Sequence, residues 1–368
     1  MIKIVDVINV LESWAPPMLQ ESYDNAGLLT GDRTARCTGV LCCLDVTEAV
    51  LDEALQKGCN LVVAHHPLIF GGIKKLSGGS ALERTIIKAI KQDLAIYAIH
   101  TNLDNVISGV NGKIASLLQL RHCRVLLPKE AALKKLITYV PLLQTESVRQ
   151  ALFEAGAGHI GGYSECSFSV EGEGTFTAGP GTQPFAGKQG QRHHEKENRL
   201  EVIFPSYLQA ALLEALRKSH PYEEVAYDLV PLANAHQELG SGLVGELAEP
   251  VEETLFLQQL ARTFGAGQLR HSALLGKPVK RVALCGGSGS FLISKALSAG
   301  ADIFITADLK YHDFFQADGR LVLADIGHFE SEQFTIELLA DYLAEKFLNF
   351  AVLKTSISTN PVNYLWHK

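Results

Sequence analysis

Uninterrupted apolar runs alternate with amphipathic stretches over much of this chain. Residues 61–64, Leu-Val-Val-Ala, are apolar at every position, as in a strand covered on both faces. Runs of the same kind occupy 39–44, 94–99, 282–284, 303–306 and 321–324. Helical spacing separates them. Ile4, Val7, Ile8 and Leu11 form one stripe, with Asp6, Asn9 and Glu12 on the other side. A second helix begins after Thr47, with Glu48 in its first turn, and ends at Lys57-Gly58. Others are predicted over 81–92 and, after Glu332, through Phe347, and residues 23–32 hold a short strand between turn residues. Strand, helix and strand in succession predict parallel pairing with right-handed crossovers.

The pattern changes near Pro128. Residues 136–232 are richer in Gly, Ser and Thr, and 172–190 hold eight glycines or prolines before a polar run at 189–198. Strand-like segments at 137–140, 167–170, 200–204 and 224–230, with helices at 146–155 and 207–219, give the ferredoxin-like order strand-helix-strand-strand-helix-strand. The predicted fold class is α/β. Two similar α/β halves, 1–127 and 233–368, form one core, interrupted by a ferredoxin-like α+β domain at 128–232.

Composition narrows the function classes. The chain has 368 residues, 47% hydrophobic and 20% charged, which suits a protein with a sizeable core. A net charge of −7 and a pI near 6.0 disfavour nucleic acid as a partner. Seven cysteines without a Cys-x-x-Cys pair suggest reduced core thiols in a cytoplasm rather than a disulfide framework or a thiolate zinc site. Residues 1–21 lack the continuous apolar run of a signal peptide, and no stretch approaches the roughly 20 apolar residues of a membrane span.

Ligand-type side chains follow the apolar runs at four places. His65-His66 closes 61–64, and Pro67 stops the strand there. His100 and Asp104 follow 94–99, and Asp45 follows 39–44. His328-x-x-x-Glu332 follows 321–324, where a spacing of four puts both groups on one helix face. Taken singly, each is as well explained by a cap, a turn or a surface pair. Together, at equivalent topological positions, they suit divalent zinc, manganese or iron, which take imidazole nitrogen and carboxylate oxygen. Paired ions lower the pKa of water toward about 7 and supply hydroxide for attack on a purine ring carbon, an amide or a phosphate ester. Gly286, Gly287 and Ser288 could offer a phosphate contact at a helix start. His193-His194 reads as a solvated loop, His220 as structural, and Lys310, Tyr311 and His312 as cavity or helix surface.

The segments Tyr-Asp-Asn-Ala-Gly-Leu-Leu-Thr-Gly-Asp, Ala-His-His-Pro-Leu-Ile-Phe, His-Thr-Asn-Leu-Asp, Gly-Gly-Ser-Gly-Ser and Asp-Ile-Gly-His-Phe-Glu-Ser-Glu resemble those of the GTP cyclohydrolase 1 type 2 homologue family, the NGG-interacting-factor-three-like proteins. Residues 156–163 and 220–227 are similar to the extra domain of its longer bacterial members. The resemblance implies a dinuclear site with His65, His66, Asp104, His328 and Glu332 as metal ligands and Glu332 as the bridge. It places His100 beside the ions in a proton-handling role, and Glu332 with His100 becomes the catalytic pair. It also implies two divalent ions per subunit, zinc first with iron or manganese as alternatives, and a toroidal homohexamer built as a trimer of dimers. The expected activity is metal-dependent hydrolysis of a nucleotide or related heterocycle, since some members convert GTP to a formamido-pyrimidine. The rivals are a metal-binding regulatory or chaperone protein without turnover and, against the acidic pI, a DNA-associated ring.

Overall fold

The computed structural model describes residues 1–365. The first stretch holds α1 (Ile4–Trp14), β1 (Gly27–Thr30), β2 (Val40–Cys43), α2 (Glu48–Gln56), β3 (Leu61–Ala64), α3 (Ala81–Lys91), β4 (Ala95–Ala98), α4 (Thr101–Asp104), α5 (Val110–Leu117) and β5 (Arg121–Pro128). Then come β6 (Leu133–Pro141), α6 (Thr145–Glu154), β7 (Ser167–Thr177), β8 (Arg192–Pro205), α7 (Gln209–Ser219) and β9 (Tyr227–Pro231). The last stretch holds β10 (Gly240–Val251), α8 (Glu253–Phe264), β11 (Arg270–His271), β12 (Val279–Ser288), α9 (Ile293–Ser298), β13 (Ile303–Ala307), β14 (Val322–Asp325), α10 (His328–Glu332), α11 (Thr335–Lys346) and β15 (Val352–Lys354). The chain forms two compact units, Met1–Pro128 with Glu238–Lys368, and Lys129–Gln237.

The first unit has two sheets. One runs β1-β4-β3-β2-β15 and the other β11-β14-β13-β12-β10-β5. Each is built around a parallel trio, β2-β3-β4 in one and β12-β13-β14 in the other. The unbroken apolar runs account for this: β2, β3 and β4 are buried at every position, so both faces are covered. Local signals set the helices between them. The Thr47 hydroxyl accepts the Val50 amide at the start of α2, and Gly58, at φ +71°, takes the left-handed conformation just beyond it. The stripe on α1 buries Ile4, Val7, Ile8 and Leu11.

The second unit is a mixed layer of four antiparallel strands, β7-β8-β6-β9, with α6 and α7 on its apolar side. Leu136 and Val140 from β6 and Leu200, Val202 and Phe204 from β8 pack with Val148, Leu152, Leu212 and Leu216 of the helices.

Several elements differ from the sequence expectation. The polar run 189–198 is not all loop: β8 starts at Arg192 and pairs with β7 from Thr177 back to Ser167, so His193 and His194 lie on a strand. A hairpin of this kind carries polar residues on both faces and shows no period-2 signal. The glycines after residue 284 extend β12 rather than open a helix. The helix predicted after Glu332 and through Phe347 is α11, and the separate short helix α10 precedes it. The apolar-run pattern does not register β10, α8 or β15, and β15 is only three residues long. β5, from before the insertion, pairs with β10, and the late β15 pairs with β2. Each sheet therefore borrows a strand from the other end of the chain.

Candidate metal centre

The backbone ladder of the first sheet continues two residues past β3. The His65 amide donates to the Cys43 carbonyl at 3.2 Å and the His66 amide to the Leu44 carbonyl at 2.9 Å. This continuation presents both imidazoles at the carboxyl edge of the parallel strands. His65 is completely buried, and its Nδ1 lies 2.9 Å from the Ile99 carbonyl. A carbonyl only accepts, so the proton sits on Nδ1. Burial holds the ring's pKa below its usual value, so Nε2 carries a bare lone pair.

Three further rings are oriented in the same way by carboxylates. His66 Nδ1 donates to Asp45 at 2.8 Å, His100 Nδ1 to Asp24 at 2.8 Å, and His328 Nδ1 to Asp308 at 2.7 Å. A carboxylate behind a histidine fixes the tautomer and strengthens the opposite nitrogen as a ligand. Asp308 takes this position at φ +57°, a strained conformation that Asp tolerates better than most residues. Burial alone would raise the Asp24 carboxyl, but hydrogen bonds from His100 and Thr101 hold it down at about 2.

The Nε2 atoms of His65, His66 and His328 converge on Glu332, the buried last residue of α10. Glu332 Oε2 lies 2.9 Å from His66 Nε2, 3.1 Å from His328 Nε2 and 3.8 Å from His65 Nε2. The His66 and His328 Nε2 atoms are 3.3 Å apart. Asp104 Oδ1 is 3.7 Å from His65 Nε2. Burial and the nearby Glu332 push the Asp104 carboxyl well up, whereas Glu332 stays ionised against its burial because the His328 and His66 imidazoles donate to it. Burial would lower the imidazole pKa values, yet Asp45 and Glu332 lift His66 to about 9, and Asp308 and Glu332 lift half-buried His328 to about 11.

Two atoms in this cluster are buried without a hydrogen-bond partner, His65 Nε2 and Asp104 Oδ1. One is a lone pair and the other a carboxylate oxygen, and both face the Glu332 carboxylate. Ionised acceptors cannot satisfy one another: without a cation the conflict pushes the Asp104 carboxyl toward its protonated form, and a buried polar atom left unpaired costs about 1–3 kcal/mol. A cation placed among them removes the conflict, so the residues fit a metal ion. Three groups have ligand atoms close enough to share one ion: His66 with His328 and Glu332, His65 with Asp104 and Glu332, and His65 with His66 and His100. The structure thus brings His65, His66, His100, Asp104, His328 and Glu332 together, with Asp45 one step behind His66.

Glycine makes room for Glu332. Gly287 sits at φ +59°, and a Cβ there would come within 2.3 Å of Glu332 Oε1. The Gly286 amide donates to Asn111 Oδ1 and the Gly287 amide to Ser331 Oγ, each at 3.0 Å. This corrects the phosphate contact expected of Gly286 and Gly287: both amides are taken within the protein, on a strand rather than at a helix start. Ser288 lines a cavity of about 490 Å³ together with Tyr23, Phe70, His100, Phe291 and Glu332.

The orienting residues Asp24, Asp308 and Asn111 were not assigned these roles from sequence. Asp24 stands 76 positions from His100, and no local spacing links them. The remaining candidates lie elsewhere. Tyr311 meets His312 and Phe315 edge to face. His193 pairs with Glu195, and His194 with Glu173. His220 is buried against the Tyr139 carbonyl. All seven cysteines are free. Among the described residues, no helix is long and apolar enough to cross a membrane.

Fold and site together define a mixed α/β protein with a buried histidine–carboxylate cluster that could hold metal. Residues 2–361 match the family model Duf34/NIF3 (NGG1p interacting factor 3), and the chain belongs to this family. It is 40% identical over 365 residues to a protein of Halalkalibacterium halodurans named GTP cyclohydrolase 1 type 2 homolog, covering 98% of each chain. A Bacillus subtilis protein of the same name is 37% identical over 364 residues, again covering 98% of each. Among solved structures, a Bacillus cereus protein related to NIF3 superposes with a TM-score of 0.86 at 38% identity over 99% of both chains.

Proposed function

We propose that this chain binds two divalent cations, zinc first among the candidates, and is a metal-dependent hydrolase acting on a nucleotide or related heterocycle. One observation carries the proposal: two ligand groups, His66-His328-Glu332 and His65-Asp104-Glu332, share the Glu332 carboxylate, and unpaired lone pairs face it. A carboxylate can bridge two ions, whereas an imidazole does not readily do so. When bound, paired metal ions lower the pKa of water enough to supply hydroxide at neutral pH.

The chain's own groups would do the rest. His100 is tied at Nδ1 to an ionised Asp24, so its Nε2, which has no partner among the described residues, would accept or return a proton beside the substrate. Tyr23, Phe70 and Phe291 are all more than half exposed and line the same cavity, where their rings could lie against a planar heterocycle. The names of the relatives point to the same substrate class.

For the second unit we infer the ferredoxin-like fold. Its order β6-α6-β7-β8-α7-β9 and its antiparallel sheet β7-β8-β6-β9 support that assignment. The homohexamer stays a proposal, checked by light scattering, which would give about six times 40.0 kDa.

Elemental analysis of protein purified without chelator should give about two transition-metal equivalents per chain. Metal-reconstituted protein should then turn over a member of a nucleotide and cyclic-amide panel, with Glu332→Gln as the blank. Finding no metal, and no uptake on reconstitution, overturns the proposal. Metal uptake without turnover on any panel member would favour the regulatory rival instead.

A further inference from the structure

The Lys129–Gln237 unit contains a cavity of about 640 Å³ whose lining residues all belong to that unit. This volume is in the range of small-molecule sites, about 300–1,000 Å³. Glu197, on β8, is 92% buried in its wall. Its Oε1 accepts the Tyr222 hydroxyl at 2.6 Å, and Oε2 meets no donor among the described residues. In this position the carboxylate lies over Gly174 on β7, where a Cβ would come within 2.1 Å of Oε2.

A buried carboxylate with a phenol as its one partner is short of a counter-charge. The bases nearby are committed elsewhere. Arg199, the one basic residue in the lining, pairs with Glu201 at 2.9 Å, and Lys196 pairs with Glu171 at 3.6 Å. His220 lies behind Tyr222, its Nδ1 accepting the Tyr222 amide at 3.1 Å and its Nε2 donating to the Tyr139 carbonyl at 3.0 Å. Those two roles describe a neutral ring, and burial favours that form.

The wall beside Glu197 is aromatic. Phe176, Tyr222 and Phe185 follow one another, with ring centroids 6.1 Å apart at each step, and Phe185 is 53% exposed. Glu171, Glu173, Glu223 and Glu224 also line the cavity and oppose an anion. A hard divalent ion would need about six oxygen ligands gathered round one point, and among the described residues the groups close enough to share an ion all belong to the Glu332 cluster, none of them in this cavity. An apolar body lying on the rings, with a positive head at Glu197, satisfies both parts of the wall.

We propose that this cavity binds a small organic cation, a protonated amine with an aromatic or extended apolar body. Three probes of nearly the same shape separate charge from shape: tryptamine, the neutral tryptophol and the anion indole-3-acetate, each titrated calorimetrically into the full-length protein. Tryptamine should bind at least about tenfold more tightly than tryptophol, and indole-3-acetate should bind more weakly than either. Glu197→Gln keeps an acceptor for the Tyr222 hydroxyl but removes the charge, so it should erase the preference for tryptamine. Should that variant fail to fold, Phe185→Ala at the half-exposed mouth should weaken tryptamine binding severalfold with an unchanged melting temperature. Equal binding of the three probes, undiminished preference in Glu197→Gln, or no tryptamine binding at millimolar concentration overturns the proposal.

Discussion

At the scale of single residues, Glu332 holds its position because other residues make room for it and face it correctly. Gly287 makes the room. Gly287→Ala would put a methyl carbon 2.3 Å from Glu332 Oε1 and add a side chain at φ +59°. Backbone strain of this kind costs on the order of 1–3 kcal/mol. The expected outcome is a lower melting temperature together with loss of bound metal by elemental analysis. Gly72→Ala, where an added Cβ meets nothing within 4 Å, should change neither. Orientation comes from carboxylates one step further out. Asp45→Asn keeps an acceptor near His66 Nδ1 but removes the charge, and Asp308→Asn does the same for His328. Each should weaken metal affinity about 10–100-fold in competition with a chromogenic chelator while leaving the circular dichroism unchanged.

At the scale of elements, the segment after β15 is fastened to α2 by one carboxylate. Glu53 is buried and accepts from Lys57, just past the end of its own helix, and from Thr355 and Ser356 in the segment after β15. Burial alone would raise this carboxyl, yet the four donors hold it down at about 2 from an ordinary 4.5. A carboxyl lowered on folding stabilises the native state fully above about pH 4.5, and that contribution fades as pH falls toward about 2. Urea midpoints should therefore separate wild type from Glu53→Gln at pH 7, and the gap should shrink between pH 4.5 and 2. A gap independent of pH would mean that the contact does not depend on charge. The start of α2 is a simpler case: Thr47→Ala removes the acceptor for the Val50 amide and should cost about 1 kcal/mol in chemical denaturation.

At the scale of the molecule, the ligand cluster joins the two sheets of the first unit. His65, His66 and Asp104 follow β3 and β4 of one sheet, while Glu332 and His328 follow β14 of the other. An ion held by both groups would bind the docked sheets and not the unfolded chain, so it should raise stability by mass action. At free metal about 100-fold above Kd the gain is about 2.7 kcal/mol. Exhaustive chelation should thus lower the melting temperature, and zinc should restore it. The unaltered melting of a fully chelated sample would show that the ligands contribute nothing to holding the sheets together.

How much of this was legible follows from where each signal lies. The parallel trio β2-β3-β4 could be read because strands buried on both faces are apolar at every position. His65-His66 stood out because the following Pro67 marks the strand end. β10 and β15 left no comparable mark, since one is interrupted by glycine and the other is three residues long. Gly286 and Gly287 looked like a phosphate turn because the sequence does not say that Asn111 and Ser331 take their amides.

Local chemistry therefore determined which segments become strands and helices, and which strand ends carry imidazole and carboxylate groups. Only the tertiary structure decided that Asp24, Asp45 and Asp308 stand behind histidines distant in the chain and that each sheet takes a strand from the other end. Hydrophobic periodicity records how a segment meets its immediate surroundings. It does not record which distant segment supplies them, so contacts made by chain closure enter only with the fold.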